Sequence, residues 1–206
     1  MNIDTIKSCL LAGVMLWAGS LGMKAQHEEG DETFQFRAGA TFSTLSGDDD
    51  AKMKVNVCYG VEYEHFFNDQ FSLAAGVLFT DQGCKYEEDG LKTTMNLYYT
   101  TFPITANYYV LPGLAVKAGI QPAYRVKARM EQNGEKIDFD RALDVIYDDA
   151  AVKMNKFDLA LPVGLSYEFK GVTLDARYNF GITKLLSGID ESVFNRGVAV
   201  TLGYKF

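Results

Sequence analysis

The chain ends in Gly197-Val-Ala-Val-Thr-Leu-Gly-Tyr-Lys-Phe206, a stretch in which apolar side chains alternate with small or polar ones. Because successive side chains of a β-strand point to opposite faces, this alternation predicts a strand with one wholly apolar face. That face holds Val198, Val200, Leu202, Tyr204 and Phe206. A strand of about ten residues with such a face has the length needed to cross a bilayer as part of a closed barrel.

The same period of two recurs in seven further segments and predicts a strand in each. In every segment one face can be assigned without a charge. The alternate faces carry the charges, namely Arg37, Glu62, Glu64, Lys117, Arg125, Lys127, Arg129, Asp158, Glu168, Asp175, Arg177 and Lys205. This separation predicts an all-β fold, an eight-stranded antiparallel up-and-down β-barrel over residues 33–206.

Two of the segments predict finer detail. The apolar face of the fourth is Met95, Leu97, Tyr99 and Thr101, followed after a change of parity by Ile104, Ala106 and Tyr108. Pro103 lies at that change and predicts a bulge, since proline donates no hydrogen bond to a ladder. The apolar face of the fifth segment runs from Leu114 to Ala128.

The charged faces indicate which solvent surrounds the barrel. A soluble barrel turns its apolar faces inward, whereas a membrane barrel turns them toward lipid. Glycine and alanine are frequent on the charged faces, which suits a narrow, crowded interior and favours lipid outside. Aromatic residues near the strand ends suit membrane interfaces; they are Tyr63, Phe71, Tyr108, Tyr124, Phe157, Tyr167, Tyr204 and Phe206. A transmembrane barrel is therefore predicted, and a soluble ligand-carrying barrel is the alternative.

The two ends and the connections predict the compartment. Residues 1–25 have the pattern of a secretory signal peptide that is removed, and residues 26–32 are predicted to form a flexible leader. Without the signal the chain has 18 cations and 26 anions, a net charge of −8 that argues against nucleic acid as a partner. Long polar connections alternate with short ones, as in outer-membrane barrels, and with both termini in the periplasm the even strand count places every long connection outside.

The chain resembles the PorT-like outer-membrane β-barrel proteins of Bacteroidetes, a porin-family group also called OmpX-like or OmpA-like. The resemblance rests on the segments 36–45, 102–109, 119–124, 157–164 and 178–183. It implies an integral protein of the outer membrane, surrounded by outer-membrane lipid. Tyr204 and Phe206 resemble the terminal sorting signal that the barrel-assembly machinery reads during biogenesis. The family shares no catalytic residues that could be transferred to this chain.

The charged interior allows two interpretations, because an eight-stranded barrel is just wide enough for side chains to fill. A narrow path for ions is one. A packed plug, in which cations and anions neutralise one another because lone buried charges are costly, is the one we favour.

The fifth segment and the loop after it carry two further predictions. Arg125, Lys127 and Arg129 form a basic row on the interior side, which either binds an anion such as a lipid phosphate or, as we favour, pairs with its own acidic loop. Within residues 139–152, Phe139, Leu143 and Ile146 have helical spacing. A short helix is expected there, either capping the barrel or docking an envelope protein partner.

Little in the sequence points to catalysis. Asp48-Asp49-Asp50 lacks the spacing of a calcium loop, so no metal is expected, nor any cofactor. Pairing of Cys58 with Cys84 stays open. Neither His27 nor His65 lies where a lipid-modifying enzyme needs its base. The predicted function is a non-enzymatic outer-membrane barrel with a structural, adhesive or envelope-complex role. The alternatives are a subunit of a secretion or gliding complex and a lipid-modifying enzyme.

Overall fold

The described part of the chain is built from β-strands. A computed structural model describes residues 27–46, 52–88, 91–132, 135–138, 153–187 and 193–206. The strands are β1 Glu32–Ser46, β2 Lys52–Phe66, β3 Phe71–Gln82, β4 Cys84–Glu88, β5 Leu91–Thr101, β6 Ile104–Leu111, β7 Leu114–Gln132, β8 Glu135–Asp138, β9 Lys153–Met154, β10 Phe157–Phe169, β11 Val172–Gly181, β12 Leu186–Ser187 and β13 Phe194–Lys205. The residues described include no helix long and apolar enough to cross a membrane.

Antiparallel pairing closes the main sheet into a ring. Along the ring, β1 pairs with β2, β2 with β3, and β3 with both β5 and β6. These two pair with β7, which pairs with β10, then β11, β13 and again β1. The predicted all-β antiparallel fold is confirmed. The sheet is divided into eleven strands rather than eight, and β9 and β12 form a separate pair.

The predicted bulge at Pro103 is wrong. Leu78 pairs with Thr101 and Ala75 with Ile104, so the register with β3 is the same on both sides of the proline. The carbonyl of Pro103 accepts a hydrogen bond from Gly76 N at 3.0 Å. The β3 ladder therefore continues past Pro103 although proline has no N–H group to donate. Parity therefore does not change. The apolar residues assigned to the outer face before Pro103 are buried inside instead, namely Met95, Leu97, Tyr99 and Thr101.

The irregularity lies in β7. Tyr98 of β5 pairs with Lys127, but the next residue, Tyr99, pairs with Arg125, so one residue of β7 is extra at this point. A bulge of this kind reverses which face the following side chains use. Ala128, predicted on the outer face, is accordingly buried at 1% exposure, and Lys127, predicted inside, is exposed.

The predicted leader is not separate from the barrel. The ring of His27 stacks on Phe66 with centroids 4.0 Å apart. Gly30 N donates to Phe66 O at 2.8 Å, and Phe66 N donates to Asp31 O at 2.9 Å. Residues 27–31 therefore pack across the end of the barrel at the β2–β3 turn. Polar composition alone predicted a loose segment because the stacking partner lies far away in sequence.

Glycines on the inner face mark where neighbouring strands approach most closely. A Cβ atom at Gly60 would lie 2.1 Å from Val77 O, and one at Gly39 would lie 2.1 Å from Val200 O. Both distances are far below van der Waals contact, so neither position has room for a side chain without displacement of the adjacent strand.

We expect Gly60→Val to lower the free energy of unfolding in detergent by about 3 kcal/mol, because the added side chain meets backbone. Urea titration followed by the heat-dependent gel shift of the barrel measures the change. Val61→Leu, which enlarges the next side chain on the outward face, serves as the control and is expected to change little. Equal stability of both variants would contradict the close approach.

Candidate functional site

The outer surface of the barrel is apolar. Outward side chains such as Phe36, Val57 and Leu202 are about 60% exposed, although they are large and apolar. Tyr204 and Phe206 lie on this surface too, and the Phe206 ring stacks on Phe36 with centroids 5.6 Å apart. A continuous exposed apolar surface of this kind requires an apolar surrounding rather than water.

A cluster of five charges fills the middle of the interior. We call this set the central cluster: Arg37, Glu62, Lys117, Asp175 and Arg177, all 1–4% exposed. Glu62 accepts from Arg37 Nη1 at 2.7 Å, from Arg177 Nη2 at 2.9 Å and from Lys117 Nζ at 3.3 Å. Asp175 contacts the same three cations at 2.8–3.1 Å. Each carboxylate thus binds three cations, which is the pairing that makes buried charge tolerable.

A second cluster of charged and polar side chains fills the end of the barrel that carries the short turns. Lys205 Nζ lies 2.7 Å from carboxylate oxygens of both Glu64 and Glu168. Glu64 also accepts from Tyr109 Oη at 2.9 Å and from Ser72 Oγ. His27 Nε2 reaches Glu168 at 3.2 Å and covers the cluster from outside. We call these residues, together with Asn107, the basal cluster.

At the opposite end, the interior changes from polar to apolar. The layer next to the central cluster is polar: Asn195 Nδ2 donates to Asp158 at 2.9 Å and to Tyr99 Oη at 3.2 Å, and Arg125 Nη2 donates to Met154 O at 3.1 Å. Beyond it lies an apolar cap formed by Leu45, Cys84, Met95, Leu97, Tyr99, Ala123, Ala128, Met154, Leu185 and Val193. Three of the residues wrongly predicted to face lipid in the fourth segment, Met95, Leu97 and Tyr99, thus form part of this cap.

Small polar cavities separate the central cluster from the cap. Two adjoining cavities of about 20 Å³ each share Thr41, Thr80, Gln121 and Asn179 in their walls. A volume of that size holds about one water molecule. Each of these two cavities therefore has room for a single water between the surrounding side chains.

The structure places ten of the twelve predicted interior charges inside the barrel, each under 9% exposed. Lys127 and Arg129 are the corrections, because the β7 bulge turns Lys127 outward and leaves Arg129 half-buried. The predicted basic row is therefore split, with only Arg125 inside. Arg129 pairs in register with Asp138, an acidic residue of the segment that follows it.

Sequence reasoning missed several interior groups. Lys54 is 7% exposed and lies 3.4 Å from Asp81 and 2.5 Å from Asn96 Oδ1. The sequence does indicate this interior position, because Lys54 directly precedes Val55 and therefore lies on the face opposite the apolar one in the second segment. His27 carried no such signal, because its position depends on residues 27–31 folding back over the barrel end.

Several predicted features lie outside the described residues. They are the signal peptide, Asp48 to Asp50, and the loop helix with Phe139, Leu143 and Ile146. Cys58 and Cys84 are both buried and are not joined by a disulfide, and Cys84 belongs to β4 rather than to a loop. Within the part of the chain that is described, no group of three or more His, Cys, Asp or Glu side chains could hold a metal ion.

Comparison with known proteins identifies the class of protein that this fold represents. The family model described as "Outer membrane protein beta-barrel domain" matches residues 24–187, and the chain belongs to that family. It is therefore an integral protein of the outer membrane, as predicted. No curated protein matches the chain.

Two solved structures illustrate the likeness in fold. The first is Ail, the attachment invasion locus protein of Yersinia pestis, at 19% identity and a TM-score of 0.51, covering 86% of this chain and 99% of Ail. The second is Neisserial surface protein A, NspA, at 16% identity and a TM-score of 0.57, covering 84% of this chain and 97% of NspA. At such identities the likeness concerns the fold alone.

We expect Glu62→Gln to destabilise the barrel by about 3–5 kcal/mol, because it leaves three buried cations with one carboxylate. Equilibrium unfolding in detergent measures the loss. Glu62→Gln combined with Arg177→Gln removes one charge of each sign and should cost less than the sum of the two single variants. Glu28→Gln, at an exposed position, is the control. Strict additivity would show that the central cluster is not a coupled network.

Proposed function

We propose that the chain crosses the outer membrane eight times and acts there as a non-enzymatic, non-conducting envelope protein with a structural and adhesive role. The strand count follows from treating β5 and β6 as one crossing, since the register is continuous through Pro103. The strands β4 and β8 then extend crossings beyond the bilayer, as parts of the hairpins at the long-loop end.

The hydrogen-bond register supports the count. A path drawn at right angles to the strands crosses eight ladders and comes back to β2 ten residues from its start. It runs through His65, Leu73, Ala106, Ala118, Val163, Tyr178, Val198, Phe42 and Val55. This stagger gives a strand tilt of about 40° for eight strands, within the usual range for barrels.

We propose that the short turns face the periplasm and the long hairpins face outward, as in outer-membrane barrels generally. The turns at residues 67–70, 112–113 and 170–171 lie at the same end as the basal cluster. The extensions of β4, β5, β7 and β8 lie at the other end and would stand above the outer leaflet, where they can contact surfaces outside the cell.

An accessibility experiment tests this orientation. Asp138→Cys is expected to react with a membrane-impermeant maleimide in intact cells, whereas Asp69→Cys should react only after the outer membrane is permeabilised. The unaltered protein is the control, because Cys58 and Cys84 are buried. Labelling of Asp69→Cys alone in intact cells would reverse the proposed orientation.

The sealed interior is the single observation that carries the functional proposal. The basal cluster, the central cluster and the apolar cap follow one another along the axis, and the two cavities between the central cluster and the cap hold about one water each. Moving an ion through this interior would require breaking several buried ion pairs at once. We therefore assign the function to the outer surface and the hairpins rather than to transport.

We expect the purified full-length mature protein to give no single-channel steps in a planar lipid bilayer at neutral pH. An established porin inserted into the same bilayer provides the positive control, and the heat-dependent gel shift confirms that the sample is folded. Reproducible conductance steps from folded protein would overturn the proposal and favour an ion path through the interior.

A further inference from the structure

Three exposed lysines come together at the end of the barrel that carries the long hairpins. Lys127 lies on β7 just after the bulge, Lys156 precedes β10, and Lys184 follows β11. These three strands are consecutive neighbours in the ring, in the order β7, β10, β11. We call the three residues the rim triad.

Register places the rim triad at one level, directly above the apolar surface. Phe157 pairs with Tyr124, and Arg125 N donates to Lys156 O at 2.6 Å, so Lys156 is level with the start of the bulge. Ile182 N donates to Leu159 O at 2.9 Å, which sets Lys184 beside Phe157. In the direction of the long hairpins, Lys127 and Lys156 directly adjoin an outward apolar residue, and Lys184 lies two residues beyond one. These apolar residues are Val126, Phe157 and Ile182, between 48% and 66% exposed.

The backbone that carries the triad is held in place. Asn155 Nδ2 donates to Lys184 O at 2.8 Å, and Asn155 N donates to Leu185 O at 2.8 Å. The side chain of Arg125 ties Met154 O to β7 from inside. Since neighbouring strands lie about 4.8 Å apart, the three lysines project from adjacent points on one stretch of the rim.

Among the described residues none of the three lysines takes part in an ion pair, and Asp138 is in register with Arg129 rather than with the triad. The opposite edge of the apolar surface, at the end with the short turns, carries mainly negative charge. Its exposed side chains include Glu28, Glu29, Asp31, Glu32 and Asp69, against Lys170.

We propose that the rim triad binds the phosphate groups of lipid in the outer leaflet. The ammonium groups stand where the apolar surface ends and lipid headgroups begin, and three cations at adjacent points match a headgroup that carries more than one phosphate. The acidic opposite edge would repel the same headgroups. This inference rests on the proposed orientation, which places the triad at the outer leaflet.

The bulge in β7 is what creates the site. Without the extra residue, Lys127 would point into the interior and the apolar surface would continue past this level. The bulge moves one cation from the interior to the rim, next to two lysines that are exposed because they lie just beyond strand ends.

The test measures lipid binding to the full-length mature protein in neutral detergent by native mass spectrometry. The probes are an acylated diglucosamine carrying two phosphates, the same glycolipid without phosphates, and inorganic phosphate. The variants are the triple Lys127→Gln/Lys156→Gln/Lys184→Gln and the corresponding triple arginine variant. Lys170→Gln, at the opposite edge, is the control for loss of one exposed cation.

We expect the phosphorylated glycolipid to bind the unaltered protein and the glutamine triple to bind it about a hundredfold more weakly. The arginine triple and Lys170→Gln should retain binding. Equal binding of the two glycolipids, or unchanged affinity of the folded glutamine triple, would overturn the inference. So would equal occupancy by inorganic phosphate, since that indicates an ion site rather than a lipid site. The maleimide experiment reports separately whether the orientation itself has failed.

Discussion

The β-sheet of this barrel has to close on itself. Backbone groups exposed to hydrocarbon have no water to bond, so a sheet in a bilayer must leave no open edge. Here the ends meet through the β1–β13 ladder, and Phe206 N and O both bond to Phe34 at 2.9 and 3.1 Å. The chain continues the ladder even through Pro103, where a carbonyl alone maintains contact with the neighbouring strand.

Closure into a small ring also limits which side chains the interior can hold. Inward side chains from all sides meet within one narrow space, so charges on different strands have to be mutually compatible. The central cluster solves this by giving each of two carboxylates three cationic partners, and the basal cluster places Lys205 between two glutamates. These contacts fill the middle and the basal end of the described interior. We accordingly place the proposed function at the surface, where the hairpins and the rim triad lie.

Much of this arrangement could be predicted residue by residue. Arg37, Glu62, Asp175 and Arg177 were assigned to the interior from alternation alone, because a charge facing lipid is expensive and period two leaves only one other face. The error in the fourth segment has a physical cause. Met95, Leu97 and Tyr99 are apolar residues that face inward, and alternation cannot tell an apolar side chain facing lipid from one facing an apolar cap. His27 escaped notice because its partner Phe66 is distant in sequence.

Strand period and the cost of unpaired charge in lipid are readable in the amino-acid sequence, and they predict the fold class, the compartment and the side of the wall on which most charged residues lie. The folded barrel is needed to show which charges meet, where the extra residue of β7 falls, and that Lys127 joins Lys156 and Lys184 on the rim. Those outcomes depend on the stagger between strands that are distant in sequence. No local pattern encodes that stagger, because it is selected when the ring closes and all ladders must be satisfied together.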